Sequence, residues 1–200
     1  MGMVGEGLRY RADIPRMYSG AMPDPEPNAS SNDSYAYFRW ERTPSAPIVF
    51  RKSTDKPAAG EALWGGLWLT LVSGRMVRAM ESEGITGWAT YPVQLLLKGG
   101  QPDPGKWFGL AVTGRCGELD WSSARFEERQ VVAGGPEVRI RRGPRVPEGS
   151  WDGSDLVLPG ETTHVLCTER FRSAMKRHDI RRLGFEMLDD MWDPSLGMEG

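Results

Sequence analysis

The sequence predicts an α+β fold: a single domain whose mixed or antiparallel sheet carries two short helices, built from a duplicated strand–helix–strand unit. Three observations lead there. Short runs of β-favouring residues dominate the chain and are separated by Pro/Gly turns. Only two segments repeat apolar residues at helical spacing, and each has one apolar face, which suits a helix lying on a sheet. Those two segments share a frame, with Leu71-Val72-Ser73 ahead of the first and Leu166-Cys167-Thr168 ahead of the second.

Taken in order, residues 1–34 are rich in Gly, Pro, Asn and Ser and read as an irregular arm. The domain proper spans 35–192. Tyr35–Trp40 and Ile48–Phe50 read as short strands, and Lys52–Gly60 as a loop. Leu67–Val72 is the first strand of the repeated unit. Ser73 caps a helix, since its hydroxyl can accept from an amide that has no partner within the helix. Met76, Val77 and Met80 form its apolar face, and Gly84 suits the left-handed residue that ends it. Ile85 and Trp88 restart extended chain. Trp107–Val112 stands at hairpin spacing from Val93–Leu97 and should pair with it antiparallel. Arg125–Val132 is a further strand. In Val138–Arg141 the alternation puts Val138 and Ile140 on one face and Arg139 and Arg141 on the other. Trp151–Leu158 reads as a short strand ended by Pro159-Gly160. In the second unit Thr168 is the cap, Phe171, Ala174 and Met175 form the apolar face, and Ile180 matches Ile85. Gly184-Phe185 answers Gly87-Trp88 after two extra residues. Residues 193–200 should fray.

A formal net charge of −2 argues against a general nucleic-acid or membrane-surface binder. Two cysteines do not make a disulfide scaffold, so a reducing compartment is the default. With no secretory signal and no apolar run that would span a bilayer, the expected location is the cytoplasm. Gly100-Gln-Pro-Asp-Pro-Gly105-Lys106 has the outline of a phosphate loop, but Pro102 and Pro104 lack the amide hydrogens that would cradle phosphate. His164, His178, Cys116 and Cys167 show no zinc spacing. Ser73 and Thr168 are better explained as caps than as nucleophiles, and Asp120 as a turn residue. No catalytic, metal-binding or cofactor-binding residue is assigned.

Two charged patches remain. Arg170, Arg172, Lys176, Arg177, Arg181 and Arg182 follow the second helix, and read as a solvated face in preference to a site for an anionic partner. Glu186, Asp189, Asp190, Asp193 and Glu199 surround Trp192 with no Lys or Arg among them. An aromatic anchor ringed by acids suits a basic protein partner; equally, Trp192 could fold onto the core and leave the acids solvated. Eight tryptophans exceed what a core of this size needs, so several, Trp151 among them, should sit at a rim or an interface. The candidate partner-binding set is therefore Trp192, Glu186, Asp189, Asp190, Asp193 and Trp151.

Two stretches carry a resemblance to a family. One runs from Val72-Ser-Gly-Arg through Gly84-Ile-Thr-Gly-Trp88 and Trp107-Phe-Gly-Leu-Ala-Val112 to Gly117-Glu-Leu-Asp-Trp-Ser-Ser123. The other runs from Val165 to Met175 and on to Leu183-Gly-Phe185. Over roughly the last two-thirds of the chain these are similar to predicted immunity proteins of bacterial polymorphic-toxin systems, of the type found among myxobacteria. Some of those relatives carry paired CxxCG motifs that suggest zinc. This chain has neither, so that feature does not carry over. The resemblance implies a non-enzymatic inhibitor that binds one cognate toxin domain. The rival class is a small enzyme with an unrecognised polar pocket acting on a nucleotide or sugar.

Overall fold

A computed structural model of the chain describes residues 7–13, 24–25, 31–66, 68–130 and 133–193. In chain order the elements are β1 (Leu8–Asp13), β2 (Asp24–Pro25), α1 (Ser31–Phe38), β3 (Ile48–Arg51), β4 (Ala62–Trp64), β5 (Thr70–Ser73), α2 (Gly74–Ser82) and β6 (Trp88–Leu96). There follow β7 (Trp107–Val112), β8 (Gly114–Cys116), β9 (Arg125–Gln130), β10 (Glu137–Arg142), β11 (Leu156–Pro159), β12 (Val165–Thr168), α3 (Glu169–Arg177) and β13 (Gly184–Met187). A 3-10 turn at Leu188–Asp190 leads to β14 (Trp192–Asp193).

The fold class is α+β, as the sequence predicts. The strands form three sheets: six strands in the order β2-β3-β6-β7-β5-β4, five in the order β13-β1-β12-β11-β8, and three in the order β14-β10-β9. Pairing is antiparallel except between β3 and β6 and between β11 and β8. One core joins the two larger sheets, with Val72 and Val112 from the first, Leu156, Leu158 and Cys167 from the second, and Met76, Met80, Phe171 and Met175 from α2 and α3. Each such helix side chain contributes about 1.5–3 kcal/mol by burial, which outweighs the weak intrinsic helicity of segments this short. No helix among the described residues is long and apolar enough to cross a membrane.

Both helices start and stop by the same device. Met76 N–H donates to Ser73 Oγ at 3.2 Å and Phe171 N–H donates to Thr168 Oγ1 at 3.2 Å. At the exits Gly84 and Asp179 both take positive φ, 61° and 47°. Ile85 N–H then reaches Met80 O, and Ile180 N–H reaches Met175 O, each at 2.9 Å.

The duplication extends beyond the unit read from the sequence. β4 precedes β5 as β11 precedes β12, with Ala62 opposite Val72 and Leu156 opposite Cys167. In the six-stranded sheet β7 lies antiparallel between β5 and β6, with Phe108 opposite Val72 and Gly109 opposite Tyr91. In the five-stranded sheet β1 lies antiparallel between β12 and β13, with Tyr10 opposite Cys167 and Arg11 opposite Glu186. β1 therefore stands in the second copy where β7 stands in the first. This register makes Glu186 the equivalent of Tyr91. It also aligns Gly184-Phe185 with Ala89-Thr90, so the two extra residues expected from the sequence are not needed.

Several expectations are corrected. The arm over 1–34 is not irregular where it is described, because Leu8–Asp13 is an interior sheet strand, Asp24–Pro25 pairs with β3, and a helix begins at Ser31. The strand signal was present as the alternation Leu8-Arg-Tyr-Arg-Ala12, with Tyr10 and Ala12 turned to the core. Tyr35–Trp40 is mostly helix rather than strand. Its aromatics favour extended chain locally, but burial of Ser34 and Phe38, four residues apart, decides for helix. The strand that pairs with β7 is Trp88–Pro92, one step earlier than expected, and Val93–Leu96 pairs with β3. Trp192–Asp193 is held as β14 against β10, so fraying does not begin at residue 193; residues 194–200 lie outside the described residues.

Candidate functional site: the three-stranded sheet and its groove

β9 and β10 form an antiparallel hairpin running from Arg125 opposite Arg142 to Gln130 opposite Glu137, and β14 adds to β10 with Trp192 opposite Arg142. The alternation in Val138–Arg141 puts Ile140 fully inside. β9 is the outer strand, and all of its residues except half-buried Glu127 are exposed. Both faces of this sheet carry arginine–ring stacks: on the Ile140 side Arg129 lies 5.4 Å from the Trp192 ring, and on the other side Arg139 lies 4.3 Å from Phe126 and Arg141 lies 5.1 Å from Trp121. Phe126 is 54% exposed and Met187, at the adjoining end of β13, is 46% exposed.

The structure gathers Trp192, Glu186, Asp189, Asp190 and Asp193 here, but not as a bare acidic ring. Glu186 is 2.7 Å from Arg11, Asp190 is 2.5 Å from Arg142, and Asp193 is 2.5 Å from Arg141. The backbone carbonyl of Asp189 accepts from Arg125 at 3.1 Å. These arginines come from β1, β9 and β10, distant in sequence from the acids they neutralise. The pairing acts both ways: hydrogen bonds to Asp190 and Glu127 hold the Arg142 pKa above its ordinary value. Arg11, Arg129, Arg141 and Arg142 are thus residues of the candidate site that the sequence did not single out, and only the alternation in β10 hinted at Arg141.

Trp151 sits apart from this group. Its indole N–H donates to Ser154 O at 2.9 Å and its ring packs beside Leu188, Met191 and Val157. It lines a cleft of about 530 Å³ with Leu8, Val146 and Met187, so it is a rim residue on the neighbouring wall. A second, more polar groove of about 610 Å³ lies between β13 and the three-stranded sheet, lined by Arg11, Arg129, Arg142, Glu186, Asp190 and Trp192.

The basic patch of α3 is also tied down internally. Arg170 pairs with Asp155 at 2.9 Å, Arg172 with Glu169 at 2.8 Å and Arg177 with Glu83 at 2.6 Å. The Gly100–Lys106 stretch is a structural turn, in which Asp103 accepts from the N–H groups of Ala58 and Gly105 at 2.8 and 2.9 Å and from the Trp107 indole at 3.1 Å. Trp107 is accordingly buried in the second core. Asp120 accepts from Ser122 N–H at 2.8 Å as a turn residue. Burial pushes the Cys116 thiol up to about 11 and raises that of Cys167 as well, which keeps both protonated and weakly nucleophilic. Among the described residues no three His, Cys, Asp or Glu side chains converge as a metal site.

No model of a known protein family matches the chain, and no curated protein matches it either.

Proposed function

We propose that this protein is an immunity protein, which neutralises a cognate bacterial toxin domain in the cytoplasm by tight non-covalent binding and without chemistry of its own. The observation that carries the reading is the composition of the β9-β10-β14 sheet, on both of its sides. Exposed Phe126 and Met187, half-buried Trp192 and three arginine–ring stacks lie on one sheet and its border. Aromatic residues, Met and Arg are the types enriched where proteins dock, and they supply most of the binding energy there. An exposed outer strand adds a row of backbone groups to which a partner can pair. The resemblance to polymorphic-toxin immunity proteins points the same way.

The test is co-expression with the toxin domain encoded beside this chain. The protein should restore growth, and calorimetry should give a one-to-one complex. The double variant Phe126→Ala/Met187→Ala should weaken the complex by about tenfold to a hundredfold while leaving the melting temperature unchanged, since both side chains are largely exposed. Full protection and unchanged affinity in that variant would remove this sheet from the account. Failure of the unaltered protein to protect would remove the function.

A further inference from the structure

The two copies of the duplicated unit differ most on their outer faces. In the six-stranded sheet Tyr91 is buried directly over Gly109, and Phe50, Leu71 and Trp107 complete a closed apolar layer. In the five-stranded sheet the equivalent pair is Glu186 and Arg11, charged side chains on the wall of the 610 Å³ groove. One scaffold position is sealed in the first copy and left open and polar in the second.

The charges in and around the groove are unevenly paired. The lining guanidiniums are those of Arg11, Arg129 and Arg142, and the lining carboxylates are those of Glu186 and Asp190. Arg142 is held by Asp190 and by Glu127, and Arg11 lies against Glu186. Arg129 has the Trp192 ring beneath it and no carboxylate among the described residues. The Nε–H groups of Arg11 and Arg142 are withdrawn from solvent with no acceptor. Glu186 Oε2 is 2.7 Å from Arg11 Nη2, yet the two are not aligned as a hydrogen bond. Those inward groups have no surface to offer a ligand, whereas the Arg129 guanidinium, on an exposed strand, is open to an arriving carboxylate. Both walls end in open strands, because β13 terminates the five-stranded sheet and β9 terminates the three-stranded one. Such edges suit extended chain.

We infer that this groove receives an extended acidic segment of the partner protein, with a carboxylate of that segment pairing with Arg129 above the Trp192 ring. The inference rests on the binding role proposed above and fixes the sign of the partner: the docking segment is acidic, where the acids around Trp192 read alone suggested a basic one. The carboxylates of Glu186, Asp190 and Asp193 are already engaged by the chain's own arginines.

Capped peptides of alternating valine and glutamate, valine and glutamine, or valine and lysine serve as probes in an NMR titration of the full chain. The glutamate peptide should shift the Trp192 indole and the Nε–H signals of Arg11, Arg129 and Arg142. It should bind at least tenfold tighter than the glutamine peptide, a difference of about 1.4 kcal/mol. Arg129→Glu, at an exposed position, should abolish that preference and favour the lysine peptide. Equal binding of the three peptides, shifts centred elsewhere, or displacement by a single-stranded oligonucleotide as effective as the glutamate peptide would each overturn the inference. The co-expression assay separates the two claims. Protection that survives Arg129→Glu removes the groove and leaves the immunity role. Peptide selectivity without protection removes the immunity role and leaves the groove.

Discussion

One missing methyl group lets Tyr91 lie flat on the sheet. A Cβ built on Gly109 would stand 1.9 Å from the ring, so Gly109→Ala must displace a fully buried side chain. The expected loss is about 1–3 kcal/mol or more, read as a lower urea midpoint at unchanged slope. A second residue-scale outcome concerns pH. Glu169 accepts from the Tyr10 hydroxyl, then from Ser173 and Arg172, and these bonds hold its pKa down at about 2, against 4.5 for an ordinary glutamate. A carboxylate depressed in the folded state lends stability that is present above its unfolded pKa and lost as pH falls through the folded one. Stability should therefore decline between about pH 5 and pH 2, and Glu169→Gln should flatten that part of a pH-dependent denaturation series. At this scale the sequence was legible where partners are local: Ser73 and Thr168 could be read as caps because the amides they serve lie three residues away. The arginine partners of Glu186, Asp190 and Asp193 could not be read, because the ion pairs join strands that only the finished topology brings together.

The two strand–helix–strand units lock by exchanging equivalent contacts. Arg75, at the start of α2, donates to the His178 carbonyl that ends α3, and Arg170, at the start of α3, donates to the carbonyls of Glu83 and Gly84 that end α2. Behind each arginine stands one acid. Glu61 accepts from Arg75 and from the Arg181 N–H, both at 2.7 Å, and Asp155 accepts from Arg170 at 2.9 Å and from the Thr86 N–H at 3.0 Å. Asp155 also accepts from the hydroxyls of Thr86 and Thr168 and is nearly inaccessible. Asp155→Ala should accordingly cost about 3 kcal/mol, since it strands several buried donors at once. Glu61→Ala, with fewer bonds in a more open setting, should cost clearly less; equal losses in parallel urea titrations would contradict this ranking. Helix positions, caps and most strands were legible from periodicity. α1 was not, because Tyr35, Tyr37 and Phe38 favour strand locally and only packing against the finished sheets reverses that preference.

For the molecule as a whole, α+β class and internal duplication could be read from the chain, because both depend on patterns that repeat along it. The division into three sheets could not, because it depends on which distant strands meet. β1 shows the difference: five alternating residues, unremarkable among Gly- and Pro-rich neighbours, fill the interior place between β12 and β13. Deleting everything through Asp13 should bare the edges of both strands and uncover Phe185, giving a chain that aggregates and melts without a cooperative transition. Adding a synthetic Gly7–Asp13 peptide should restore a sharp melt and a monomeric elution volume. A truncated chain that folds as well as the full one would show that β1 is dispensable.

That borrowed strand imposes an order on biosynthesis. The ribosome delivers Leu8–Asp13 long before the two strands that flank it, Val165–Thr168 and Gly184–Met187. The first copy, whose strands are contiguous from Ala62 to Val112, can close while translation continues; the second must wait until Gly184–Met187 has emerged. During that interval an unsatisfied hydrogen-bonding ribbon trails from the nascent polypeptide, open to mispairing until both flanking strands arrive.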